Sequence, residues 1–435
     1  MMSYGLCLSI GSSYFSKKLI VNRLLIILSI VSPTFMVSCA NRGAGDPLSI
    51  PYVKSILSDT TTTVYNIVKN AGESGSNGVI SIIGPANDAM FISDEFLCCD
   101  HFDNVNGRMV SDGLPDFSGE TISVVCDEAN SPYHGYVEKQ NESYLKELNV
   151  KNFINVVDTS CFLSPYDKED RIGKNHSKVV VLSSSYSSAF GYSDIMALVN
   201  GTRADIDVIS PIHSMFRYAM KRHGGENASI AVWTSEQILG DGVYSALSSE
   251  LEKEYPSLKY DMICPQHGGT IMQRMLSFFR MYRSAGQRTR LDVVLVDDIP
   301  MRADSLNSIF HALLAESNDS LMTYKAFLSD NFEFIDARTS MVADCISYLR
   351  KMNGFTHRVA YPAMEMFAVV PVPDLAVGYY YDDGRFSDDF KYNRAPGSEL
   401  ESFLTVEMNE RYMSEDQISF MKSFAQKTYE EYVSK

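Results

Sequence analysis

This 435-residue chain opens with no long hydrophobic run. The apolar run Leu24–Val31 falls well below the roughly 20 residues a crossing helix needs. Positive charge is also scarce: 38 Lys and Arg face 54 Asp and Glu, a formal net charge of −16. That balance argues against nucleic acid, whose phosphate backbone is gripped by clustered cations, and against electrostatic docking on anionic lipid. Nothing resembles a phosphate-binding loop or a dinucleotide fingerprint, since Gly191-Tyr192 and Gly268-Gly269 are too sparse. The eight cysteines include no paired CxxC, so the spacing of zinc sites is missing. Neither a metal nor a cofactor is expected. Tryptophan occurs once, at Trp233, as a core lid or a ligand-stacking wall.

What is present begins at the N-terminus. Lys17, Lys18 and Arg23 precede the short apolar run, and small residues follow it, the pattern of a secretory signal. Met36-Val37-Ser38-Cys39 resembles a bacterial lipobox, with Met where Leu is usual. The resemblance implies that Cys39 is acylated, becomes the first mature residue and tethers the protein to a membrane of the cell envelope, facing the periplasm or the cell surface. Loss of the leader takes three cations from −16 and leaves −19. Of the remaining cysteines, Cys126, Cys264 and Cys345 sit in apolar contexts and read as small buried hydrophobes. Cys98 and Cys99, followed by Asp100 and His101, are the nearest approach to a metal cluster.

Composition and pattern divide the rest. Residues 1–38 are the signal, 39–49 a tether, and 50–118 a small N-terminal α+β module with a helix over 50–70 and a strand at Val79–Gly84. From Thr121, short β-branched runs alternate with helical segments, the signature of a parallel sheet wrapped by helices. Strands are expected at Thr121–Cys126, Lys178–Leu182, Asp207–Ile209, Ser229–Val232, Tyr260–Ile263, Asp292–Val296 and Phe334–Ile335. This α/β core occupies 119–315, and 316–435 completes it with a strand pair, Met366–Val372 and Leu375–Tyr381, and a helix near Ser414–Val433. The aromatic, acidic turn at Tyr379–Gly384 lies between strand pair and helix.

Ligands of open parallel sheets bind outside the carboxyl ends of the strands. Those ends carry Asp127 and Glu128; Ser183, Ser184 and Ser185; Thr234 and Ser235; His267; and the pair Asp297-Asp298. Adjacent strand residues point to opposite faces, so only one of Asp297 and Asp298 can meet a ligand.

One segment is similar to a known family. Val208-Ile209-Ser210-Pro211, the helix after it, Ile230–Glu236 and Gly242-Val243-Tyr244 resemble the middle strand–helix–strand–helix stretch of the aspartate/glutamate racemase superfamily, and Cys264-Pro265 falls where that family often has such a pair. The resemblance covers about residues 120–315 and implies two parallel-sheet, Rossmann-like lobes with a ligand between them. It also implies two facing catalytic cysteines, and here the chain departs. The matching loops hold Ser183 and, with a shift of a residue or two, Val296 or Asp298. A serine hydroxyl is too weak a base to replace a thiolate in α-proton removal.

Three readings follow. In the first, the cleft binds a small carboxylate or amino-acid-like ligand without two-thiol racemisation: Ser183–Ser185 hold the anion, Asp127 or Asp298 the amine, and Thr234 and Ser235 line the site. In the second, the protein is a cofactor-independent acid/base enzyme of isomerase or lyase type, using Asp298 with His267 or His213. In the third, the fold is an envelope assembly scaffold whose protein partners meet the C-terminal aromatic segment.

Overall fold

The computed structural model describes residues 49–434 apart from 105–107, 109, 225–227, 267, 286–289, 377, 382 and 399–401, with the side chains of 167–169 also left aside. The leader, Cys39 and most of the tether therefore lie outside the described residues, and so does His267.

Among the described residues, twelve strands form two sheets. In chain order they are β1 Val79–Gly84, β2 Thr121–Cys126, β3 Ser160–Ser164, β4 Asp167–Gly173, β5 Ser177–Leu182 and β6 Asp207–Ile209, then β7 Ile230–Thr234, β8 Tyr260–Ile263, β9 Leu291–Asp297 and β10 Leu328–Asp336, and last β11 Ala363–Pro371 and β12 Phe403–Glu407. The larger sheet runs β4-β3-β12-β11-β2-β1-β5-β6, and the smaller runs β10-β9-β7-β8. All pairs in the smaller sheet are parallel, as are the central pairs of the larger one. The chain thus builds most of one lobe, makes the other, and returns to finish the first. The α/β reading with two parallel-sheet lobes holds.

Strands covered on both faces carry apolar side chains in both directions. In β5, Val179 and Val181 enter the core on one face while Val180 and Leu182 enter the core on the other. The smaller sheet divides alike: Ile230, Val232, Val293 and Leu295 on one side, Ala231, Trp233, Val294 and Val296 on the other.

Two helices bind the lobes by crossing over. Pro211–Arg222 leaves β6 of the larger sheet, yet buries Ile212, Met215 and Phe216 in the core of the smaller one. Ala337–Met352 leaves β10 of the smaller sheet and buries Met341, Val342, Cys345 and Ile346 against the larger. The two are joined by Asp344, which accepts hydrogen bonds from Ser214 at 2.7 Å and Arg217 at 2.6 Å.

Several expectations need correction. Residues 50–118 are no separate module, because β1 lies between β2 and β5 in the larger sheet and Leu48–Lys435 forms one compact unit. The stretch after β1, for which no helix was expected, holds the helix Ala86–Cys98. Ten of its residues are buried, Ser93, Asp94 and Glu95 among them, so its polar residues do not mark a solvent face. The expected helix over 50–70 is two, Pro51–Ser58 and Thr63–Lys69. The terminal helix is also two, broken at Ala425. Leu375–Tyr381 is not a strand; β11 pairs instead with β12, antiparallel. The hairpin β3–β4 had no sequence forecast.

Beneath the larger sheet, the Lys178 ammonium lies 2.6 Å from Glu120, both side chains almost wholly buried, and donates to the carbonyl of Gly354 at 2.8 Å. Removing one partner of such a pair leaves a buried charge uncompensated, which typically costs about 3–5 kcal/mol. Glu120→Ala should lower the urea midpoint accordingly, and Glu120→Leu combined with Lys178→Met should recover most of the loss.

Candidate functional site

The carboxyl ends of β1, β5, β7 and β9 converge where the lobes meet. β1 ends at Gly84, whose φ is +156°. A Cβ there would stand 2.2 Å from Ser183 Oγ, so a larger residue would have to push that hydroxyl aside. The helix Ala86–Cys98 then starts, with Asp88 in its first turn. β5 runs into Ser183, Ser184 and Ser185. Ser184 caps the next short helix, accepting from the Tyr186 N–H. Ser185 reaches across to the other lobe and donates to Asp297 Oδ1 at 2.5 Å. Tyr244, from the helix Val243–Glu254, donates to Asp297 Oδ2 at 2.9 Å.

The acids of this junction are unusual. Asp297 is buried, and burial pushes its carboxyl up to about 6, against the two hydroxyls that lower it. Asp88, only partly covered, is raised to about 7, first by desolvation and then by the charge of Asp297, while the Ser184 hydroxyl opposes the rise. Burial also raises Glu128, beyond β2. Two hydroxyls nearby lack partners. Ser183 Oγ and Thr234 Oγ1 are buried and make no hydrogen bond, a state that costs free energy. Thr234 is the register neighbour of Asp297 across β7 and β9. Ser183, Ser185, Asp297 and Arg338 line a cavity of about 20 Å³ at the lobe junction, and no cysteine borders it. That is room for one water-sized group.

Other expected site residues lie elsewhere or are otherwise engaged. Asp127 is wholly buried and accepts from Asn130, Tyr133 and Asn152, the last two at 2.8 and 2.7 Å. It ties loop to helix and has no free lone pair for an amine. Asp298 borders the cavity, but its Oδ2 accepts from Trp233 Nε1 at 3.0 Å and from Arg274. Trp233 is a core residue stacked on Phe278. Ser235 caps a short helix, accepting from Ile238 N–H. His213 is buried beside Ser210 at 2.7 Å and Glu250 at 3.4 Å, and does not border the cavity. Of the cysteines read as buried, Cys126 and Cys345 are so and Cys264 is partly exposed. Among the described residues no group of three or more His, Cys, Asp or Glu is arranged to hold a metal ion.

Of the Asp297-Asp298 pair, Asp297 is the acid buried at the lobe junction. Strand parity carries the reason: Asp297 follows Val293 and Leu295 onto the side that meets the larger sheet, whereas Asp298 turns to the Trp233 side. The sequence contains the parity but not which side faces the other lobe. Asp88 had no signal at all, because its helix was hidden. Tyr244 sat in the racemase-like Gly-x-Tyr without an assigned role.

No protein-family model matches the chain, and no curated protein does. Solved structures similar to it include a glutamate racemase from Bacillus anthracis, at 13% identity and TM-score 0.40, covering 67% of this chain and 89% of that one. Another is the glutamate racemase of Francisella tularensis subsp. tularensis in complex with D-glutamate, at 12% identity and TM-score 0.37, covering 69% and 90%. Arylmalonate decarboxylase matches at 13% identity and TM-score 0.31, covering 65% and 96%.

The raised acids make stability depend on pH in a definite direction. Between about pH 4 and 7, Asp88 and Asp297 hold protons in the folded protein that the unfolded chain has released, so their contribution to stability falls as pH rises. Asp88→Asn and Asp297→Asn should each flatten the urea-midpoint profile over that range. Asp127→Ala should instead destabilise by about 1–3 kcal/mol for each buried donor it leaves unpaired, because it strips the acceptor from a buried polar cluster.

Proposed function

We propose that this protein is a lipid-anchored component of the bacterial cell envelope that binds a small amino-acid-like ligand between its two lobes. The observation that carries this reading is the Asp297 carboxylate, buried at the lobe junction and bonded across it to Ser185, beside a small cavity and two hydroxyls with no partner. Buried polar groups are normally paired; groups left unpaired at strand carboxyl ends are what a ligand would complete. Two-thiol racemisation finds no support, since no cysteine borders the cavity.

An acid/base enzyme is the second reading, and Asp88 with Asp297 favours it. Their carboxyls sit near 7 and 6, the range in which one group can hold a proton while the other takes one at neutral pH. Asp298 and His213 do not serve this reading; Asp297 replaces them.

The test is a thermal-shift screen of the full-length chain against amino acids, dicarboxylates and peptidoglycan fragments. A ligand at 100 times its dissociation constant stabilises by about 2.7 kcal/mol. A shift that Asp297→Asn abolishes supports the cleft reading, and that ligand is then assayed for proton exchange with solvent deuterium to separate binder from enzyme. If no compound shifts the melting point, the cleft reading falls and protein partners of the C-terminal segment become the object of search. For the anchor, mass spectrometry of the membrane fraction should find acyl mass on a peptide beginning at Cys39; an unmodified N-terminus beyond Cys39 rejects it.

A further inference from the structure

We infer that a second cleft, framed by the stretch joining β11 to β12, binds a sugar that carries one carboxylate. It shares no lining residue with the junction cavity, so it stands or falls independently of the reading given for that site.

The anchor is Arg394. Among the described residues two arginines are buried, Arg338 and Arg394, and buried charges are normally paired. Arg338 stands 2.9 Å from Glu95 and 3.8 Å from Asp336. The buried lysines are compensated too. Lys178 pairs with Glu120 and Lys391 with Asp388. Lys174 meets carbonyls in the last turn of the helix Glu142–Val157, the negative end of its dipole. Arg394 has no carboxylate partner among the described residues and is met by neutral acceptors. These are the Lys391 carbonyl at 3.2 Å, Ser402 Oγ at 3.0 Å, Asn130 Oδ1 at 2.6 Å and the Tyr136 hydroxyl at 2.7 Å. Asp127 is reached only through Asn130, and donors from Asn130, Tyr133 and Asn152 already occupy its oxygens.

A guanidinium has five N–H groups. Four are spent here, and the fifth is on Nη1, the nitrogen hydrogen-bonded to Ser402. Arg394 and Ser402 both line the cleft. The rings of Tyr144 and Phe386, 4.5 and 4.7 Å away, hold the guanidinium in place.

The cleft offers about 420 Å³, within the range of roughly 300–1,000 Å³ typical of small-molecule sites. Among its described lining residues Arg394 is the one cation and Asp389, which is exposed, the one acid. One buried positive charge with an acid at the rim suits a monoanion and opposes a phosphate dianion. The other walls combine aromatic and polar groups. Tyr379 is 41% exposed and stacked on Phe390 with ring centroids 4.4 Å apart. Ser387, Asn393 and Ser402 stand beside them. Hydroxyls and amides both give and accept hydrogen bonds, as the hydroxyls of a sugar do. A tyrosine fixed by stacking adds rigid amphipathic contact for the C–H face of a pyranose. The aromatic turn that begins at Tyr379, which the junction site leaves unused, thereby gains a role.

Ligand-observed NMR titration of the full-length chain with D-glucuronate, D-glucose and L-phenylalanine tests the inference. D-Glucuronate should bind, and D-glucose should bind at least about tenfold more weakly for want of a charged acceptor at Arg394. L-Phenylalanine, a carboxylate without sugar hydroxyls, should not displace D-glucuronate. Arg394→Lys should weaken D-glucuronate about tenfold or more, because an ammonium cannot reproduce the guanidinium's fork of donors. Arg394 also supports the fold, so Tyr379→Ala, at a half-exposed position, is the second variant. It should weaken D-glucuronate severalfold while the melting point holds. Failure of D-glucuronate to bind overturns the inference. D-Glucose binding as tightly overturns it by leaving the guanidinium without a part, and displacement by L-phenylalanine overturns it by removing the need for a sugar. D-Glucuronate binding that survives both substitutions places the ligand elsewhere and overturns it as well.

Discussion

The burial of one carboxylate, Asp297, where two sheets of a single chain meet is the constraint around which the site is arranged. A carboxylate taken from water must be compensated by donors, by a counter-charge or by a proton. Here the compensation is partial: one hydroxyl from each side of the junction, Ser185 and Tyr244, and a raised affinity for a proton. Asp88, on the other lobe, is raised first by its own burial and then by the charge of Asp297.

The molecule shows what full compensation looks like a few residues away. Asp127, equally buried, is met by donors on both oxygens. Asp298 is met by a guanidinium and an indole. Asp94 accepts two backbone N–H groups and Arg302, and Glu95 has both Arg338 and His101. These acids hold helices and loops in place. The same residue type is held in its charged form where donors suffice and retains a proton more readily where they do not.

The ion pairs also close the lobes on one another. Asp94 and Glu95 belong to the helix after β1, while Arg302 and Arg338 follow β9 and β10 of the other sheet. Together with the two crossover helices they hold the junction so tightly that about 20 Å³ is left. Any ligand larger than the group that fits there must extend outward from the junction or part these pairs.

Periodicity made most of the scaffold legible. Val179-Val180-Val181-Leu182 and Leu291–Asp297 are runs that only a strand covered on both faces explains, and the helices between them alternate as a wound parallel sheet requires. The helix Ala86–Cys98 escaped although Asn87, Asp88, Asp94 and Glu95 recur on one face, because part of that polar stripe is itself buried against the other lobe. Asp88 escaped with it. The census of strand ends placed Ser183–Ser185, Thr234 and the Asp297-Asp298 pair at the right end of the sheets, because position at a strand's carboxyl end is a one-dimensional property. Choosing Asp297 over Asp298, and finding Asp127 spent on its own loop, required knowing which face of each sheet meets the other lobe. Sequence determines the alternation of side chains along a strand; the packing of one sheet on another decides which of the two faces is buried with a ligand and which with the core.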